Sequence, residues 1–179
     1  GVTLSGDATI YVGQSKTYTI TNYNVFSTYV VQVSAGTVSI SGDAISFTAP
    51  STSQTVTLTV NMDDVPTEFS LSIQPAGVSA PTNSTPTNGA TNQNSSVTLT
   101  SSAFAWFGVS DTHLSSDWQL ATDSAFSAVV QSASDDTTNK TSWTVGGLSA
   151  SQTYYWRVRH RGANNGVSAW STGTTFVTK

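Results

Sequence analysis

Apolar and polar residues alternate along the first half of the chain in short runs, each bounded by turn-forming residues. The apolar partners are Tyr18/Ile20, Tyr29/Val31/Val33, Val38/Ile40, Ile45/Phe47, Val56/Leu58/Val60 and Phe69/Leu71/Ile73. Successive side chains of a strand point to opposite faces, so each run has one face suited to a core and one to water. The pattern predicts strands at 10–12, 17–21, 29–33, 37–40, 44–48, 55–60 and 68–73. Turns fall at Gly6-Asp7, Gly13, Asn22 to Asn24, Gly36, Gly42-Asp43, Pro50 and Asp63-Asp64. Short strands at this spacing indicate a sandwich or a barrel.

The second half carries the same period with heavier side chains. Strands are predicted at 97–101 running on to 104–107, then at 117–121, 128–132, 142–145, 152–160 and 170–178. All five tryptophans lie here: Trp106, Trp118, Trp143, Trp156 and Trp170. Residues 148–158 are the clearest stretch, where Leu148, Tyr154, Trp156 and Val158 face a core. Tyr155, Arg157 and Arg159 face the other way. No window sustains a helical period, and the fold class is all-β.

Specific residues also carry resemblances. The stretch ITNYNVFSTYVVQVSAGTVSISGDAISFTAP at 20–50 resembles PKD-like or bacterial immunoglobulin-like repeats of phage tail proteins and bacterial surface proteins. Leu148 precedes Tyr154, which opens a Tyr-x-Trp-x-Val strand, and this resembles the E–F corner of a fibronectin type III domain. SDWQLATDSAF at 116–126, YYWRVRHRG and SAWSTGTTF resemble fibronectin-type modules of phage virion and bacterial secreted proteins. The resemblance implies that the Tyr154 hydroxyl bonds back to the turn and that Trp106 is the core tryptophan of the second strand. It implies two tandem β-sandwiches: an immunoglobulin-like one at 1–76 and a fibronectin type III-like one at 77–179. Residues 75–94 hold Pro75, Pro81 and Pro86 and few apolar groups, so they are expected to form a linker or an exposed edge strand.

Composition narrows the function classes. Ser and Thr make up 59 of 179 residues, and charged residues only 9%. β-Branched and polar together, Thr suits the outer face of a strand. The net charge of −4 lies wholly in residues 1–76, where Lys16 stands against Asp7, Asp43, Asp63, Asp64 and Glu68. Neither half offers the basic field that nucleic acid needs, and no apolar run of about 18 residues implies membrane insertion. Cys is absent, so no disulfide or thiolate metal site is available. The chain begins at Gly1 without a recognisable leader, and a piece of a longer polypeptide is expected.

Candidate chemistry is sparse. His113 and His160 fall in different predicted regions, a loop and a strand end, and are expected to be exposed. No Gly-x-Ser-x-Gly elbow accompanies them, so catalysis is not expected. Asp63-Asp64 and Asp135-Asp136 have calcium-ligand chemistry but sit at turns, where Asp is favoured anyway. No metal or other cofactor is expected. Tyr155, Arg157, Arg159 and Arg161 form a stripe that reads either as a glycan or acidic-partner surface or as a solvated face pairing with Trp or Asp. Trp118, Trp143 and Trp170 are the other candidates for a contact surface, since one small sandwich hardly buries five indoles.

The resemblance implies a non-catalytic structural and adhesive segment of a surface appendage. The expected setting is a phage virion surface, in capsid decoration or in the tail, with protein partners in an assembly and surface polysaccharide as a further partner. The alternative is a segment of a bacterial secreted adhesin, or an accessory module of a polysaccharide-degrading enzyme.

Overall fold

The computed structural model describes residues 1–179 and contains strands and turns but no helix. Two compact units meet in sequence at Ala76/Gly77.

In the first unit the strands are β1 (Leu4–Ser5), β2 (Thr9–Tyr11), β3 (Ser15–Ile20), β4 (Tyr29–Val33), β5 (Thr37–Ser41), β6 (Ala44–Thr48), β7 (Gln54–Met62) and β8 (Val65–Gln74). They form two four-stranded sheets, ordered β1-β3-β6-β5 and β2-β8-β7-β4. The first is the A-B-E-D sheet of an immunoglobulin-like sandwich; the second is its C-F-G sheet extended by β2. The chain changes sheet between β1, antiparallel to β3, and β2, parallel to β8. Gly6 permits the crossing: its φ is +147°, and the Tyr18 ring lies where a β-carbon would be. The predicted alternation becomes the core of Ile10, Tyr18, Ile20, Ile45, Phe47, Val56, Leu58, Val60, Leu71 and Ile73.

The second unit contains β9 (Gly77–Val78), β10 (Asn83–Thr85), β11 (Ala90–Gln93), β12 (Val97–Ser101), β13 (Trp106–Phe107), β14 (His113–Ala121), β15 (Val129–Asp136), β16 (Ser142–Val145), β17 (Thr153–Gly162) and β18 (Thr174–Thr178). Sheets β10-β12-β16 and β11-β18-β17-β14-β15 face each other, the A-B-E and G-F-C-C′ layers of a fibronectin type III-like sandwich. Trp118 stands opposite Val158, and Leu120 opposite Trp156, so their indoles stack at 6.1 Å in the middle of the core. The E–F corner closes as the resemblance implies: the Ser149 amide donates to the Tyr154 hydroxyl at 3.0 Å, and Leu148 is buried beneath it.

Three expectations need correction. Residues 75–94 are not a free linker, because β9, β10 and β11 lie within them and Pro81 and Pro86 are buried; of the two alternatives the edge strand holds, β10 and β11 each bordering a sheet. Asn83 anchors the segment. Its amide donates to the Trp156 carbonyl at 2.9 Å and to Thr174 Oγ1 at 2.8 Å, and its oxygen accepts from Ser171 Oγ at 2.7 Å. A polar side chain that looked like solvated chain thus satisfies three groups of the far sheet, for which no local pattern gives a sign. Asn83→Ala is expected to lower the stability of the second unit by about 1–2 kcal/mol, read by chemical denaturation, since it strands polar partners. Limited proteolysis should then begin within 79–94 in the variant while sparing that segment in the parent protein.

Second, Trp106 is 44% exposed and is not the core tryptophan. The strand that carries it does not continue β12 but pairs with β9, Trp106 opposite Val78. Beside Trp156 the core indole is Trp118 on β14, a candidate for the contact surface that is instead fully inaccessible, its Nε1 donating to the Asn139 carbonyl at 2.7 Å. Third, the last strand starts at Thr174 rather than at Trp170. Over 168–171 the ladder is completed by side chains: the amides of His160 and Val158 donate to the hydroxyls of Ser168 and Ser171. That kink turns Trp170 away from the core.

Candidate functional site

Three places carry chemistry. The first is the arginine stripe. Arg157, Arg159 and Arg161 alternate with the buried Trp156, Val158 and His160 along β17, and so share its outer face. Trp170 lies over both Arg157 and Arg159, each guanidinium carbon 4.5 Å from the ring centre, and Phe126 covers Arg157 at 4.2 Å. Each such contact is worth roughly 0.5–2 kcal/mol, the upper end when desolvated. Arg157 Nε also donates to Gln119 Oε1 at 2.8 Å, Arg159 Nε sits 2.7 Å from Asp117 Oδ2, and Arg161 Nε lies 2.7 Å from Asp135 Oδ1. Asp117 is nearly inaccessible and accepts the Asp135 amide as well. The stripe is therefore a brace across β14, β15, β17 and the 168–171 segment, held through the inner Nε edge of each guanidinium. Tyr155 is half-buried on the same face, and Trp143 packs against the core. One small sandwich indeed does not cover all five indoles: Trp118 and Trp156 are fully covered, whereas Trp106 is the most open.

Aspartates come next. Asp63 accepts from the Thr28 amide at 2.9 Å and from its hydroxyl at 3.2 Å, and the amide bond holds its carboxyl below the usual carboxylate range. Asp136 caps the turn after β15 through the amides of Thr138 and Asn139, both at 2.8 Å, while Asp135 faces Arg161. These are turn and ion-pair duties, and no group of three or more His, Asp or Glu converges for a metal.

The third is an apolar tip on the first unit that the sequence reading passed over. Between β3 and β4, Val25 is 73% exposed and Phe26 93%. The loop is built rather than loose. Asn24 Oδ1 accepts the Phe26 amide, the Asn24 amide donates to Tyr29 Oη, Tyr23 stacks on Tyr29 at 5.0 Å, and Asp63 ties Thr28 to the β7–β8 turn. The Asp43 carbonyl accepts the Ile20 amide, which brings the β5–β6 turn to the same end. A large apolar side chain presented to water on a hydrogen-bonded loop is a candidate interface anchor. The signal available in sequence was the Asn-Val-Phe run inside a segment otherwise rich in turn residues.

The two histidines, assigned to separate exposed regions, are in contact. Their rings lie 4.3 Å apart, His160 is fully buried and His113 half-buried. Sequence separation hid this because β14 and β17 are neighbours only through sheet pairing.

No protein-family model matches the chain, and no curated protein matches it. Solved structures do resemble it. Domains A168–A170 of titin are 14% identical over 97% of this chain and 62% of theirs, with a TM-score of 0.35. The adhesin InvE of Yersinia pseudotuberculosis is 15% identical over 98% of this chain and 58% of its own, with a TM-score of 0.37. The fibronectin(III)-like modules of CbhA from Clostridium thermocellum are 11% identical over 100% and 94%, at 0.41. The chain spans about three fifths of the titin and InvE chains it resembles. Identities of this size speak to fold alone. The fold itself is an immunoglobulin-like sandwich followed by a fibronectin type III-like one, as the sheet orders and the tyrosine corner establish.

Proposed function

We propose that the chain is a non-catalytic structural and adhesive segment of a surface appendage, set on a phage virion in capsid decoration or in the tail. The observation that carries this reading is how the polar side chains are used. The arginines, the acids that face them and Trp170 brace one sheet of the second unit, while the first unit holds an apolar tip outward on a braced loop. Stiffness in one module and an exposed anchor in the other suit a protein that spaces and touches rather than one that transforms a substrate. Contact with host-surface polysaccharide is a weak secondary role within this reading. The Nε edges of the stripe are engaged inside the fold, so the glycan-facing part falls to the terminal guanidinium nitrogens, Tyr155 and the edge of Trp170.

Antibodies against residues 1–179 test the setting. They are expected to decorate intact particles at regularly repeated positions in electron micrographs. Labelling confined to the bacterial envelope or the culture medium, with clean particles, would overturn the virion reading in favour of a secreted adhesin.

A further inference from the structure

Ser101 at the end of β12, Phe104 just after it, His113 and Ser116 on β14 and His160 on β17 meet in one cluster. Phe104 stacks on His113 at 4.8 Å and lies 6.1 Å from His160. The hydroxyls fix the tautomers. Ser101 Oγ donates to the Ser102 carbonyl at 2.9 Å, so towards the ring it accepts, from His160 Nε2 at 3.1 Å. Ser116 Oγ donates to the Lys140 carbonyl and accepts from His113 Nε2 at 2.9 Å. His160 therefore carries its proton on Nε2. Its Nδ1 is buried without a partner, so a second proton would arrive where no acceptor waits.

The surrounding charges do not relieve this. On β14, Asp117 is engaged by Arg159 and the Asp135 amide; on β17, Arg159 and Arg161 occupy the alternate, outer positions. Asp135 on β15 faces Arg161, and Asp136 caps Thr138 and Asn139. The segment before β16 brings a cation: Lys140 Nζ donates to the His113 carbonyl at 2.8 Å. Asp111, from the loop before β14, accepts the amides of Thr112, Asn164 and Asn165. The segment 168–171 presents to β17 the hydroxyls of Ser168 and Ser171 and no charge. Burial, and then the neighbouring His113, push His160 down to about 4; burial and then Lys140 lower His113, against a raising bond to the Ser115 backbone.

We propose that this cluster is an acid-sensitive latch: the neutral imidazoles clamp the end of β12 and residues 102–107 against the sheet, and protonation of His160 releases 102–107 while β12, β14 and β17 stay paired. The sign is set by linkage. A histidine whose folded pKa lies below its unfolded value near 6.5 leaves the closed form with fewer bound protons than the open one. Closure is then at full strength above about 6.5, and falls away as the pH drops through that value towards the folded value of about 4.

Nuclear magnetic resonance of the full chain between pH 7 and pH 3.5 tests this. The His160 Cε1–H is expected to titrate well below 6.5, and the amides of 102–107 to shift and lose exchange protection at that same midpoint, with β12, β14 and β17 still protected. His160→Phe keeps a ring in the cluster and removes the titration; its 102–107 amides are expected to stay protected at pH 4. The latch is overturned if His160 titrates near 6.5, if 102–107 are indifferent to its titration, or if the whole unit unfolds at that midpoint. It is equally overturned if His160→Phe opens at the same pH as the parent. Should His160→Phe fail to fold, the titration of the parent protein decides alone.

Discussion

Trp156→Ala is expected to cost the second unit about 3–5 kcal/mol, the range for removing a large aromatic from a closed core. Trp156 is fully buried, stacks on Trp118 at an interplanar angle of 22°, and stands in register with Leu120. Collapse around the hole is hindered because its neighbours are held on two sheets, with Trp118 also tied by its Nε1 to the Asn139 carbonyl. At roughly 4–8 °C per kcal/mol for a domain of this size, the melting temperature should fall by more than about 10 °C. All five tryptophans belong to the second unit, so intrinsic fluorescence reports that unit while far-ultraviolet circular dichroism sees both. The fluorescence midpoint should move and the first unit's transition should remain in place. A common shift of both transitions would mean that the halves unfold as one.

Gly36→Ala is the counterpart in the first unit, expected to cost about 2–4 kcal/mol. Gly36 turns the chain between β4 and β5 at φ +87°, a conformation that costs an L-residue about 1–2 kcal/mol. A methyl group there would also meet the Thr48 carbonyl oxygen at 2.3 Å and the Phe47 ring at 3.0 Å. Backbone on one side and a buried ring on the other leave little room to yield, which adds a further 1–3 kcal/mol of overpacking. Dichroism-monitored denaturation should show an early transition with tryptophan fluorescence unchanged. Loss of less than about 1 kcal/mol would mean that the turn relaxes into another shape.

Legibility differed between the two units for a physical reason. In the first, every predicted strand has an observed counterpart, with ends moved by a residue or a few, because each strand has one dry and one wet face. The period of two survives intact from Tyr18 to Ile73. In the second, side-chain size misled. The resemblance puts Trp106 inward, and the pattern leaves Trp118, Trp143 and Trp170 open between a contact surface and the core. The sandwich resolves this by stacking Trp118 on Trp156 and tilting Trp143 against Trp118, each pair at 6.1 Å, and by leaving Trp106 on a two-residue strand. Arg157 and Arg159 were read correctly as facing away from the core. That Trp170 would lie between them follows from Ser168 and Ser171 taking ladder bonds, a side-chain substitution for backbone that no periodicity reveals.

The sequence by itself determined the all-β class, the alternation that chooses core residues such as Ile45, Phe47, Trp156 and Val158, and the E–F corner of Leu148 and Tyr154. These are local, because a strand's two faces and a turn's shape depend on residues adjacent in the chain. Tertiary structure alone decided that Asn83 would bond residues from Trp156 to Thr174, that His113 and His160 would touch, and that Asp117 would gather Arg159 and the Asp135 amide. Those contacts join residues 18 to 91 positions apart. They arise from which strands lie side by side and from the closing of one sheet on the other, and the hydrophobic effect that drives this closing carries no direction of its own.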